Sequence, residues 1–165
     1  MVSTVYEGGS IAIIDDEGEA PARGDRLPVW RVLIADDDRE VHEATVFALS
    51  NSAIEGRRLE FLHAYSALEA ALKQGPAPDL VLIDALLEEK NGFATARAIS
   101  EGASERSFPI VLCSTIYRPR PFREEALKCG AQDYLLLPMP PDEFLRRVNQ
   151  AIGYFVPPGA QKTAA

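Results

Sequence analysis

The stretch Asp79–Leu87, DLVLIDALL, decides how the rest of the chain is read. Leu80–Ile83 is continuously apolar, and a single carboxylate, Asp84, follows where a strand of that length would end. Strands covered by helices on both faces read this way, because neither face meets water. A charged side chain survives in such a run only where the strand end exposes it or partners compensate its burial. Asp84 is therefore placed at the carboxyl end of a buried strand in a parallel sheet.

The segments on either side repeat the pattern. Upstream, Val32–Ala35 is a short apolar run closed by Asp36, Asp37 and Asp38, and REVHEATVFALS follows with Val41, Thr45, Ala48 and Leu49 on one helical face. Asp38 is the natural cap of that helix. Asn51–Arg58 reads as a polar loop, Leu59–Tyr65 as a strand and Ala67–Lys73 as a short helix stopped by Gly75-Pro76. Downstream, Phe93–Ser100 reads as a helix and Pro109–Ser114 as a strand. Pro119 and Pro121 delay the next helix to about Phe122, and Gly130 ends it. Tyr134–Leu137 and Pro140–Phe155 are the last strand and helix, with Phe144, Val148 and Ile152 on one stripe. Five β-α units in succession predict an α/β fold with a five-stranded parallel sheet, helices on both faces and right-handed crossovers.

Residues 1–28 lack a crossover helix and are expected to form a flexible acidic lead-in. The alternative is that Ile11–Ile14 adds an edge strand. The domain is expected over 29–155 and a disordered tail over 156–165. A chain of 165 residues, 47% apolar, is long enough to bury roughly 70% of its unfolded surface. Its net charge of -8 disfavours binding to phosphate backbones, so no nucleic-acid partner is expected, and Arg57-Arg58 and Arg146-Arg147 read as solvated faces. Cys113 and Cys129 have no metal-ligand spacing and read as reduced core thiols of a cytoplasmic protein. No run is long and apolar enough for a membrane span, and MVSTVYEGGS has no secretory pattern, so no membrane association is expected.

In an open α/β sheet the site lies beyond the carboxyl ends of the strands. There the chain places Asp36, Asp37 and Asp38, then Asp84, then Ser114 and Thr115. Converging carboxylates repel unless a hard cation binds them, and Mg²⁺ suits oxygen ligands that also meet phosphate. A carboxylate can itself accept a phosphoryl group.

This ordered set resembles the receiver domain of bacterial two-component response regulators over roughly Arg31–Phe155. The residues that carry the likeness are VLIADD with Asp36 and Asp37, DLVLID with Asp84, NGF with Gly92, PIVLCS with Ser114, and GAQDYLLLP, which is similar to the family's GAxDYLxKP. The resemblance implies the flavodoxin-like (βα)5 receiver fold with strand order 2-1-3-4-5. It implies Asp84 as phosphoacceptor and Mg²⁺ held by Asp36, Asp37, Asp84 and the Leu86 backbone carbonyl. Ser114 and Tyr134 become the switch residues, and Pro138 a cis proline. The phosphodonor would be a histidine kinase or phosphotransfer protein. Output would pass to a downstream protein partner or to an output domain missing from this chain. The face of the fourth helix, fifth strand and fifth helix would serve for homodimerisation. On this reading the chain is a signalling module and not an enzyme.

Two positions depart from the family pattern. Leu137 stands where the family has a lysine, and Glu88 where it often has a proline. Loss of the lysine is expected to weaken phosphoryl stabilisation. It motivates an alternative, a pseudo-receiver that acts as an interaction or dimerisation module without phosphorylation. An aspartyl-phosphate phosphatase would need an acid two residues after the nucleophile, and that position is Leu86. His42 and His63 lie in no four-helix-bundle context, so a phosphotransfer role is not expected of either.

Overall fold

A computed structural model describes residues 2–7, 10–15, 29–66, 68, 72, 75–87, 91–102, 108–116 and 119–154. The strands are β1 (Val2–Glu7), β2 (Ser10–Asp15), β3 (Trp30–Ala35), β4 (Ala53–Ile54), β5 (Arg57–Ala64), β6 (Leu80–Asp84), β7 (Ile110–Ser114) and β8 (Asp133–Leu136). The described helices are α1 (Arg39–Leu49), α2 (Gly92–Gly102), α3 (Pro119–Lys128) and α4 (Pro141–Tyr154). The expected helix Ala67–Lys73 lies largely outside the described residues, as do Glu88 and the tail 156–165.

Five parallel strands run in the order β5-β3-β6-β7-β8, which is 2-1-3-4-5 along the chain. These five keep the expected order, with β6 at their centre, but the sheet is not five-stranded: β1 adds a sixth parallel strand and β2 an antiparallel edge. Within residues 1–28, expected as a flexible acidic lead-in, the described residues Val2–Glu7 and Ser10–Asp15 form two strands. β1 pairs antiparallel with β2 and parallel with β5, so a hairpin widens the sheet at its β5 edge. The apolar run Ile11–Ile14 is half of that hairpin, in line with the edge-strand alternative.

Side chains alternate across the sheet, so each apolar strand feeds two cores. Leu80 and Leu82 of β6 pack with Phe61, Leu135 and Phe144 on the side of α1 and α4. Val81 and Ile83 pack with Phe93, Leu112 and Tyr134 on the side of α2 and α3. Cys113 and Cys129 are free and buried, as expected of core thiols. The polar loop before β5 is tighter than expected. Ala53–Ile54 and Arg57-Arg58 form a small antiparallel hairpin around Glu55 (φ 52°) and Gly56 (φ 75°). Two successive positive φ values are what a two-residue hairpin turn matching the strand twist requires. Arg57 also stacks over Trp30, 4.7 Å from the ring centroid.

Helix ends follow the sequence signals. Asp38 caps α1, its carboxylate accepting from the Glu40 N–H at 2.9 Å. Gly130, at φ 88°, closes α3. Arg120 is non-helical within α3, so the regular helix starts past Pro121, near the expected Phe122. The inner face of α1 matches the expected one at Thr45 and Leu49 and differs at its first turn. His42, Thr45 and Leu49 are the buried positions, and Val41 is only half-buried.

Candidate functional site

The carboxyl ends of β3, β6 and β7 open into a cleft of about 260 Å³. Its acidic wall is Asp36, Asp37, Asp38 and Asp84, and its apolar wall includes Val41, Leu86 and Leu137. Each carboxylate is there for a local reason. The β3–β5 ladder ends at the pair Ala35–Ala64, so Asp36 and Asp37 fall on the turn into α1. Asp84 is the last residue of β6, paired with Cys113 of β7.

Asp36 and Asp84 are held alike. One oxygen of Asp36 accepts from the Asp38 N–H at 2.8 Å, and one oxygen of Asp84 accepts from the Leu86 N–H at 3.2 Å. These are turn contacts two residues ahead, the usual habit of Asp where a chain changes direction. Carboxylate oxygens of Asp36, Asp37 and Asp84 lie within 4.8 Å of one another. Asp36 is buried, Asp84 half-buried and Asp37 exposed. Burial is the main force raising Asp36 to about 7, against the Asp38 N–H bond that lowers it, and the charges of Asp84, Asp37 and Asp38 raise it further. Asp84 is raised as well, first by burial, with Asp37 and Asp38 adding to it against the Leu86 N–H bond.

Among the described residues lining the cleft there is no lysine or arginine. Three clustered carboxylates, with the ionisation of Asp36 and Asp84 suppressed and no counter-charge among the described lining residues, fit a hard divalent cation, which takes carboxylate and water ligands. Mg²⁺ would be held by Asp36, Asp37 and Asp84, and the Leu86 segment borders the same cleft.

Gly92 is required by this geometry. Its N–H donates to the Ala85 carbonyl at 2.8 Å, and a Cβ built there would overlap the Asp84 carbonyl oxygen. A side chain would push α2 away from the strand end that presents Asp84.

Ser114 ends β7 at 2% exposure, its hydroxyl accepting from the Ile116 N–H at 3.0 Å and its residue lining the cleft. Leu137 follows β8, and its N–H donates to the Ser114 carbonyl at 2.8 Å, which fixes its side chain at the cleft wall. Pro138 follows a cis peptide bond. Tyr134 is not in the cleft. It is buried on the opposite side of the sheet, stacked at 6.1 Å on Phe93 and 6.3 Å on Phe122. The structure thus brings Asp36, Asp37, Asp84, Leu86, Ser114 and Leu137 to one cleft and leaves Tyr134 in the core behind it.

Sequence reading assigned no role to two residues beside this site. His42 and His63 are buried in mutual contact, and His42 reaches the Asp36 backbone. The available signal was weak. His42 lies one helical turn past the Asp38 cap, and His63 is near the end of the strand that neighbours β3.

Comparisons with known proteins agree with the fold. A family model described as the response regulator receiver domain matches residues 32–149. The regulatory protein AtoC of Escherichia coli is 32% identical over 128 residues, covering 74% of this chain and 25% of its own length. The phosphate regulon transcriptional regulatory protein PhoB of Klebsiella pneumoniae is 27% identical over 72% of this chain and 50% of its own. A solved structure of a probable two-component response regulator with a GGDEF domain superposes with a TM-score of 0.63 at 30% identity, covering 75% of this chain and 49% of that one. The chain thus spans half or less of the length of these relatives. Among the described residues no helix is long and apolar enough to cross a membrane. With the family model covering more than half of its length, the chain belongs to the response regulator receiver domain family of two-component systems.

Proposed function

We propose that this receiver domain accepts a phosphoryl group on Asp84 with Mg²⁺ bound beside it. The observation that carries the reading is the cluster of Asp36, Asp37 and Asp84 at the carboxyl ends of adjacent strands, with no cationic side chain among the described residues lining the cleft. A carboxylate oxygen of Asp84 attacks the phosphorus of a phosphohistidine on a histidine kinase or phosphotransfer protein. The new O–P bond forms as the P–N bond breaks, and the imidazole leaves with its electron pair. Mg²⁺, when bound, offsets the charge on the phosphoryl oxygens. The chain's own part is to hold Asp84 at the strand end through the Leu86 N–H and to offer the Ser114 hydroxyl on the cleft wall.

Phosphorylation then draws Ser114 towards the phosphoryl group and alters the packing of Tyr134 against Phe93 and Phe122. Output passes to a protein partner or an attached domain through the face of α3, β8 and α4, which would also serve a homodimer. The module signals rather than turning over a substrate, without nucleic-acid or membrane contacts of its own, in the cytoplasm. Residues 29–155 are its independent unit.

The second reading is favoured by one observation. Leu137 lines the cleft where the family carries lysine, so no side-chain cation described there meets a phosphoryl group. On that reading the domain is a phosphorylation-independent interaction module. Beryllofluoride with Mg²⁺ separates the two. A bound fluorine resonance that is lost in Asp84→Asn supports phosphoacceptance, and no bound resonance at millimolar reagent favours the pseudo-receiver.

A further inference from the structure

Behind the acidic cleft, two imidazoles that the phosphoryl chemistry does not use are buried together. His42 of α1 is 1% exposed and His63 of β5 6%. Their Nδ1 atoms lie 2.8 Å apart, and His42 Nε2 lies 2.7 Å from the Asp36 carbonyl oxygen. Tyr65 covers His42 at 4.2 Å between ring centroids, and the Arg39 guanidinium stacks over Tyr65 at 4.5 Å. The pair is roofed by two further side chains.

These distances assign the protons. A backbone carbonyl only accepts, so His42 Nε2 carries the hydrogen. A neutral imidazole has one donor and one acceptor, so His42 Nδ1 accepts and His63 Nδ1 donates. A proton on both facing Nδ1 atoms would set two N–H groups against each other. Burial disfavours the charged form of both rings, and proximity to His42 disfavours it further for His63. The result is one directed chain of hydrogen bonds, from His63 to His42 to the Asp36 carbonyl.

That carbonyl sits at a specific place. The β3–β5 pairing stops at Ala35–Ala64. The Asp36 N–H still donates to the Ala64 carbonyl at 3.1 Å, but the Asp36 carbonyl has left the ladder. It belongs to the peptide plane between Asp36 and Asp37, and rotating that plane would swing both carboxylates.

We propose that His42, oriented by His63, is a positioning residue that locks the Asp36–Asp37 peptide plane and so sets the two carboxylates for a divalent cation. The proposal rests on the reading of the cleft as a cation site. Groups that orient ligands from behind commonly carry about 10–100-fold of metal affinity.

Three variants test it, with Mg²⁺ affinity read by titration calorimetry and Mn²⁺ by paramagnetic resonance. His42→Leu keeps the bulk and removes both hydrogen bonds. It is expected to bind Mg²⁺ at least about tenfold more weakly with an unchanged far-UV spectrum. His42→Gln offers an amide N–H to Asp36 and an oxygen to His63, and is expected to stay within about threefold of wild type. His63→Phe, which removes only the orienting donor, shifts affinity in the same direction as His42→Leu and serves if that variant does not fold. Nitrogen-15 spectra of the wild type give an independent readout, with His42 protonated at Nε2 and His63 at Nδ1. Wild-type affinity in His42→Leu, or the opposite tautomers, would overturn the proposal. Failure of the wild type to bind Mg²⁺ would instead overturn the cation reading. The tautomers and the Asp37 amide shift in His42→Leu would then still decide whether the pair holds this peptide.

Discussion

If the cleft holds Mg²⁺ as proposed, protons compete with it there, and Asp36 sets the terms. Its carboxyl is raised to about 7, chiefly by burial, from an ordinary value near 4. At about pH 6 roughly one Asp36 in ten is ionised, and at about pH 8 roughly nine in ten. Since the cation needs the ionised form, Mg²⁺ affinity is expected to rise about tenfold across that interval from this group alone. Asp84 is raised too and adds in the same direction. Without metal the sign for stability is the reverse. A carboxyl whose folded value exceeds its unfolded value contributes stability that is full below about pH 4 and lost as pH rises through about 7. The ceiling of that loss is about 4 kcal/mol, and water in the open cleft screens it to about 1–2 kcal/mol. Asp36→Asn is therefore expected to stabilise the metal-free domain at about pH 8 by about 1–2 kcal/mol and to abolish the Mg²⁺ response. Urea unfolding at the two pH values, with and without Mg²⁺, measures the first effect. Calorimetry in two buffers of different ionisation heat counts the proton released. Equal Mg²⁺ affinity at both pH values with no proton released would refute the reasoning.

Three further outcomes are expected. Gly92→Ala would force its Cβ against the Asp84 carbonyl, so a loss of about 1–3 kcal/mol in denaturant unfolding is expected, together with weaker Mg²⁺ binding. Leu137→Lys would bring an ammonium to the cleft wall. At about 4 Å and an effective dielectric of 20, its attraction for a phosphoryl group is about 4 kcal/mol before desolvation, so a longer-lived adduct is expected, and an unchanged lifetime would refute the electrostatic account. Arg147→Ala would strip Asp133, a buried acid, of two hydrogen bonds of 2.6 Å and leave the more distant Arg123 at 3.9 Å, so about 2–4 kcal/mol of stability should go, read by the shift of the urea midpoint.

What the sequence disclosed and what it hid follow from physical causes. The continuous apolar runs of β3, β6 and β7 show a doubly covered sheet, because both faces of each strand enter a core. Asp36, Asp37 and Asp84 were legible because a carboxylate that closes such a run must reach water or a compensating charge at the strand end. The first hairpin was harder to see. An antiparallel pair at a sheet edge needs no crossover helix, and the absence of one after Ile14 argued for a lead-in. The turn at Glu55-Gly56 lacked the Asn-Gly or Asp-Gly that announces two positive φ values. The burial of His42 in the first turn of α1 hid for another reason. Periodicity favours Val41 as the apolar residue, but the chain buries His42, whose two ring nitrogens are both paired, so burial leaves neither donor nor acceptor empty. That pairing spans 21 residues and two elements, which no local pattern reports.

The central claim is that Asp84 is a phosphoacceptor that works with a divalent cation despite Leu137. Intact-mass spectrometry after incubation with acetyl phosphate tests it most directly. A gain of one phosphoryl group is expected in Mg²⁺, absent with a chelator and absent in Asp84→Asn. No gain in the Mg²⁺-loaded wild type, or a gain that persists in Asp84→Asn, would contradict it.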